Sequence, residues 1–214
     1  MNLTRSAQRY LRLDFTLDDA LPTRMPVYVN SVVYLFGATA LMALAWIVIS
    51  GVVLTLGGPS WYHTNAVGRF ANAVHYWSVQ LFFLFMVVHL WGKYWMAAWR
   101  GKRALTWATG VLAFLTAVGV GFTGYVITTN FNAQWIAFEA KDVMNAIGVG
   151  SVFNVTNLGQ MVTFHVAPLP LVLVVIVAAH VLLVRKHGVV PPIDAIDHDA
   201  VAPAAETATS EVAS

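Results

Sequence analysis

Four long apolar runs separated by polar joints dominate the chain, at roughly Val29 to Leu56, Ala73 to Ala98, Leu105 to Thr128 and Val162 to Val184. Each is long enough to cross a bilayer, which takes about 20 helical residues. One such run could be a buried helix of a soluble domain. Four in succession, with almost no internal charge, predict an all-α fold: an integral membrane four-helix bundle over residues 27–190. The longest joint, Asn130 to Met161, contains the apolar pieces Trp135 to Phe138 and Val143 to Val149, which predict short helices lying on the membrane surface. Residues 1–26 mix Arg5, Arg9 and Arg12 with Tyr10, Leu11, Leu13 and Phe15. Such a stretch suits an interfacial amphipathic helix or a solvated arm. Residues 191–214 are rich in Ala, Asp, Glu, Thr and Ser and lack aromatics, as expected of a disordered tail.

Charge adds orientation. Charged residues make up only 10 % of the 214, against about 25 % in soluble domains. With four spans, both termini share a side with the second joint. Ten of the twelve Lys and Arg fall on that side, and only Arg69 and Lys141 on the other. By the positive-inside rule the expectation is a multi-pass plasma membrane protein with both termini cytoplasmic and the long third joint outside. No removable signal peptide is expected at the N-terminus, and a net charge of +2 gives no reason to expect nucleic acid as a partner.

The candidate chemistry is carried by histidine. Cysteine is absent, which excludes disulfides, thiolate metal sites, iron–sulfur clusters and covalent c-type haem attachment. His75 and His89 lie 14 residues apart on the second span, and His165 and His180 lie 15 apart on the fourth. Along an α-helix either spacing is roughly 21–22 Å and returns to nearly the same face. The two spans run in the same direction, so His75 meets His165 at one level and His89 meets His180 at the other. Paired neutral imidazoles are strong axial haem ligands that leave no open iron position. Two non-covalent b-type haems between helices two and four are therefore expected, one iron on His75 and His165 (outer) and one on His89 and His180 (inner). A lone membrane histidine is more often a packing or proton-relay residue, but two pairs at matched depth are hard to explain that way. His63, His187 and His198 fall outside the pattern and read as surface residues. Gly37 and Gly51 on span one, and Gly110 and Gly124 on span three, repeat the 14-residue spacing. They can admit a macrocycle edge close to the backbone, although small residues also serve ordinary membrane helix packing.

With these residues in view, the chain from about Pro26 to Pro192 resembles the N-terminal half of the cytochrome b family, most closely its short four-helix photosynthetic branch. The 14-then-15 histidine spacing, LTWATG at Leu105 to Gly110, TGY at Thr123 to Tyr125, RKHG at Arg185 to Gly188 and the four paired glycines carry the resemblance. It implies haems relaying electrons across the membrane in a quinol-linked complex, with Arg103 and Trp107 near the propionates of the inner haem. A plain positive-inside anchor with an aromatic belt residue accounts for that last pair equally well. There are departures. Thr128 and Thr129 replace the usual Pro-Trp pair. Asn72 stands where an Arg is usual, with Arg69 one turn earlier. Leu35 replaces the cysteine that holds the extra covalent haem of the photosynthetic branch. The family's second half, with its Pro-Glu-Trp motif, has no counterpart in this sequence.

The expected function is that of a dihaem cytochrome b subunit relaying electrons in a respiratory quinone-linked oxidoreductase complex of the bc type. Its expected partners are quinone or quinol and other redox subunits, a Rieske-type protein among them, and a dimeric complex is left open. One alternative is a haem-bearing membrane anchor for a dehydrogenase or reductase subunit. Another is a haem-free proton transporter, which the lack of Asp and Glu in the spans opposes. Tyr125, Asn130, Trp135 and Phe138 are candidates for an outer quinone pocket, though interfacial aromatics are more often anchors.

Overall fold

The structure, a computed structural model, describes residues 32–58 and 60–191. The N-terminal arm and the tail beyond Pro191 lie outside the described residues, as do the start of the first apolar run and His198.

The described residues are helical, with no strand. A 3₁₀ turn, Val32–Tyr34, leads into α1, Leu35–Gly57. The short α2, Trp61–Thr64, precedes α3, Ala66–Trp95. A second 3₁₀ turn, Gly101–Arg103, opens α4, Ala104–Val126. Then come α5, Phe131–Ala146, α6, Leu158–Val166, and α7, Pro168–His187. Among the described residues four segments are long and apolar enough to cross a membrane: Val32–Gly57, Ala66–Trp95, Gly101–Val126 and Leu158–His187. At 1.5 Å per residue even a 26-residue segment reaches about 39 Å, more than the roughly 30 Å hydrocarbon core. The outward faces carry exposed apolar side chains such as Trp46, Leu84, Leu115 and Leu171, as lipid contact requires.

The second span starts well before residue 73 because Asn65 caps it. Its Oδ1 accepts from the backbone N–H of Val67 at 2.8 Å and of Gly68 at 3.3 Å. Replacing an N-cap Asn by Ala costs about 1 kcal/mol. Asn65→Ala is therefore expected to lower stability by that order in detergent, read by thermal unfolding; an unchanged midpoint would refute the cap. The fourth span differs from the sequence expectation in being two helices. Pro168 supplies no N–H and its ring crowds the preceding turn, so the chain breaks at Ala167 (φ −126°, ψ −74°) between His165 and His180. The third joint holds one surface helix, α5, rather than several. Val126, Ala137, Val155 and Met161 seat it on the ends of α4 and α6.

α1 packs along α3 and α4 along α7, while α3 and α4 touch little. The two pairs join at a buried cluster: Ala40, Ala43 and Leu44 from α1, Phe82 from α3, Ala113 and Ala117 from α4, and Leu173 from α7. Small residues let membrane helices approach closely. Phe82 lies midway between His75 and His89, Leu44 midway between Gly37 and Gly51, and Ala117 midway between Gly110 and Gly124. This waist holds the bundle together about 10 Å from each histidine level.

Contacts at one end fix the topology. Tyr34 Oη donates to Val190 O at 2.7 Å. Arg103 Nε and Nη2 donate to Gly188 O and Val189 O, both at 3.2 Å. The Tyr94 and Trp107 rings lie 6.2 Å apart. The start of α1, the end of α3, the start of α4 and the end of α7 therefore share one end, which is an up-and-down bundle.

Candidate functional site

α3 carries His75 and His89, α6 carries His165 and α7 carries His180. The His75 and His165 rings face each other edge to face, with centroids 6.2 Å apart and planes at 83°. A metal–imidazole bond is about 2.0–2.1 Å and the ring centre lies about 1.1 Å behind the nitrogen, so two rings flanking one metal have centres roughly 6.2–6.4 Å apart. The observed spacing fits an ion between them. Among the described residues no group of three or more His, Cys, Asp or Glu gathers around a point. The His75–His165 pair offers two protein donors, a number that would suit an iron whose remaining positions are filled by a macrocycle.

Each ring is set by the helix behind it. His75 Nδ1 lies 3.0 Å from Ile47 O on α1. His165 Nδ1 lies 3.1 Å from Val120 O, and His180 Nδ1 2.9 Å from Thr106 O, both on α4. A carbonyl only accepts, so Nδ1 carries the proton in all three and Nε2 keeps the lone pair a metal needs. His89 differs: its Nδ1 is buried with no partner among the described residues.

The four glycines stand against these imidazoles. A Cβ added at Gly124 would lie 2.5 Å from His165 Cε1, and one at Gly37 or Gly110 would lie 2.9 Å from Cε1 of His89 or His180. At Gly51 it would lie 3.3 Å from His75 Cε1. The 14-residue glycine repeat thus matches the histidine repeat because each glycine admits one ring.

Arg103 sits at the His89–His180 end, with two of its nitrogens donating to backbone carbonyls after α7, and the Trp107 ring lies tilted at 43° to that of Tyr94. Trp107 also lines an open apolar cleft of about 310 Å³ with Val87, Leu90, Trp91, Tyr94 and Phe114. His187 is not a free surface residue: Thr106 Oγ1 is 3.0 Å from its Nδ1, while the Thr106 carbonyl serves His180. His63 is exposed, as expected. At the opposite end Val126, Thr129, Gln134, Phe138, Val155 and Thr156 help line a cleft of about 350 Å³. Of the four residues expected in such a pocket only Phe138 lines it. Asn130 is spent on capping α5, accepting from Ala133 N at 2.9 Å, while Tyr125 and Trp135 are exposed. Thr129, at φ +55°, borders the cleft in a backbone region that β-branched residues rarely enter.

A family model described as cytochrome b (N-terminal)/b6/petB matches residues 80–210, more than half of the chain. The chain belongs to the cytochrome b family. As a cytochrome b it binds haem and is a multi-pass membrane protein. It is 25 % identical to the menaquinol:cytochrome c reductase cytochrome b subunit of Geobacillus thermodenitrificans, over 85 % of this chain and 95 % of that one. It is 28 % identical to cytochrome b6 of Heterocapsa triquetra, over 87 % of this chain and 97 % of that one. Among solved structures, a chain from a hyperthermophilic respiratory Complex III superposes with a TM-score of 0.65 at 20 % identity, over 78 % of this chain. This cytochrome b spans about half of that solved chain, 52 %, and the likeness bears on fold.

Proposed function

We propose that this cytochrome b is the dihaem subunit of a quinol-linked, bc-type oxidoreductase, with one b-type haem between His75 and His165 and a second between His89 and His180. The observation that carries the reading is the opposed pair of imidazoles 6.2 Å apart, each with Nδ1 committed to the backbone of its own flanking helix. When bound, the haems supply one-electron transfer. The protein's part is to hold two Nε2 lone pairs at each level, to exclude water with the apolar waist, and to leave no titratable carboxylate inside the spans. The basic residues at the Tyr34–Val190 end, among them Lys93, Arg100, Lys102, Arg103, Arg185 and Lys186, support a cytoplasmic location for that end and for both termini. The His75–His165 level then faces outward in the plasma membrane. Arg103 and Trp107, at the His89–His180 end, would be the residues to hold the propionates of the inner haem. The cleft beside Thr129 and Phe138 is the space best suited to a quinone ring at the outer end.

The names of the relatives support a quinol donor and an assembly with other redox subunits. Thr128 and Thr129 in place of the family's Pro-Trp pair favour a second reading, a haem-bearing anchor for a dehydrogenase or reductase. Gentle purification from native membranes separates the two. The bc-type role predicts co-purification of a Rieske-type protein and two haems b per chain in the reduced-minus-oxidised spectrum. A large dehydrogenase or reductase subunit in its place would establish the anchor instead, and colourless protein would refute both.

A further inference from the structure

Three of the four histidines share a clasp built from a backbone carbonyl and a hydroxyl of the neighbouring helix. His75 Nδ1 is 3.1 Å from Ser50 Oγ as well as 3.0 Å from Ile47 O. His180 Nδ1 is 3.2 Å from Thr109 Oγ1 and 2.9 Å from Thr106 O. His165 Nδ1 is 3.3 Å from Thr123 Oγ1 and 3.1 Å from Val120 O. In each case the hydroxyl residue follows the carbonyl residue by three positions and immediately precedes the glycine that admits the ring. The direction of these bonds is determined. Each hydroxyl already donates to its own helix: Ser50 to Trp46 O at 2.5 Å, Thr109 to Thr106 O at 2.8 Å and Thr123 to Val120 O at 2.9 Å. Its lone pair then accepts, and the Nδ1–H of the histidine is shared between two acceptors.

The fourth position breaks the pattern on both counts. Counting back from Gly37 gives Phe36 for the hydroxyl and Val33 for the carbonyl. Phe36 has no hydroxyl, and its ring packs 6.2 Å from that of Phe85. Val33 lies in the 3₁₀ turn before α1 rather than within an α-helix, unlike Ile47, Thr106 and Val120. His89 Nδ1 is accordingly the one buried side-chain nitrogen or oxygen without a partner among the described residues.

We infer that Ser50, Thr109 and Thr123 are positioning residues that fix the tautomer and donor strength of His75, His180 and His165, and that His89 is the unclasped ligand because Phe36 occupies the hydroxyl position. The inference rests on the proposed haem ligation. Hydrogen bonding at Nδ1–H raises the basicity of the ligating Nε2, and a more basic ligand favours the oxidised iron and lowers the potential. Removing a clasp hydroxyl should ease reduction of that haem, and adding one beside His89 should oppose it.

The test is a redox titration of the intact purified complex, following each haem by its α-band and its ferric low-spin EPR signal. Ser50→Ala and Thr123→Ala should each shift the reduction equilibrium of the His75–His165 haem by up to about tenfold toward the reduced form, which is about 59 mV for one electron. Thr109→Ala should do the same to the His89–His180 haem only. Ser50→Thr should restore the parent potential. Phe36→Ser should move the His89–His180 haem the opposite way, while Phe36→Leu, which changes packing and adds no hydroxyl, should leave it in place. Unchanged potentials and g values in the three alanine variants, with two haems retained, would overturn the inference and leave the ligation intact. Equal shifts in Phe36→Ser and Phe36→Leu would overturn the assignment of His89. Absence of one haem from the parent protein would instead bring down the ligation reading.

Discussion

Replacing His75 or His165 by alanine is expected to reduce the haem content from two per chain to one, with the surviving haem the same in both variants. His89→Ala or His180→Ala should leave the other haem behind. The geometry makes the loss complete rather than partial. Each proposed level has two histidine donors and, among the described residues, no group of three or more His, Cys, Asp or Glu gathers there to take over. The two proposed ligands of the outer level come from different helix pairs, His75 from the α1–α3 pair and His165 from the α4–α6–α7 side, so removing either leaves the other with no partner across the divide. The surviving level should persist because the cluster at Ala43, Phe82, Ala117 and Leu173 fastens all four helices between the two levels. Pyridine haemochrome content against protein, together with the reduced-minus-oxidised α-band, checks this. Two haems in any of the four variants would mean that the residue is not a ligand.

What the sequence made legible, and what it concealed, divides along physical lines. The spans and the four histidines were readable because hydrocarbon demands long apolar runs and because the 14-residue spacing is two near-integral sets of turns. Span ends were less so. The second span was expected from Ala73, but Arg69 and Asn72 lie inside the helix at the polar interface, and the start at Ala66 is set by the Asn65 cap. The break before Pro168 had its signal in plain view in Pro168 and Pro170, yet an apolar pattern runs through it without a gap. Because of the break, a count of 100° per residue does not carry from His165 to His180. The clasp was also written in the chain, as Ser50-Gly51, Thr109-Gly110 and Thr123-Gly124. Ser or Thr before Gly in a membrane helix is common, and only the facing histidine on the neighbouring helix gives it meaning. The contact of His187 is hidden for a similar reason, since its partner Thr106 lies on a helix 81 residues away in sequence.

Alanine at the four glycines is expected to produce a graded loss of haem, in an order that identifies what the glycines face. Carbon atoms in good contact sit about 3.5–4.0 Å apart. At Gly124 the added Cβ lies 2.5 Å from His165 Cε1 and 3.1 Å from its Nδ1, so the ring must move by about 1 Å. That motion is opposed by its bonds to Val120 and Thr123 and by the requirement that Nε2 stay opposite His75. Forcing a methyl group into such a site typically costs about 1–3 kcal/mol. Gly124→Ala should therefore deplete the His75–His165 haem severely. Gly51→Ala, behind the other ligand of the same haem, brings its Cβ only to 3.3 Å from His75 Cε1 and should keep most of it. Gly37→Ala and Gly110→Ala, at 2.9 Å from their rings, should fall between, acting on the other haem alone. The comparison within one haem is the decisive one. If the glycines served chiefly to admit the edge of a shared macrocycle, Gly51→Ala and Gly124→Ala would press on the same plane from either side and would harm that haem alike. Haem content and the ferric EPR signal, measured for the two variants side by side, distinguish an imidazole seat from a macrocycle seat.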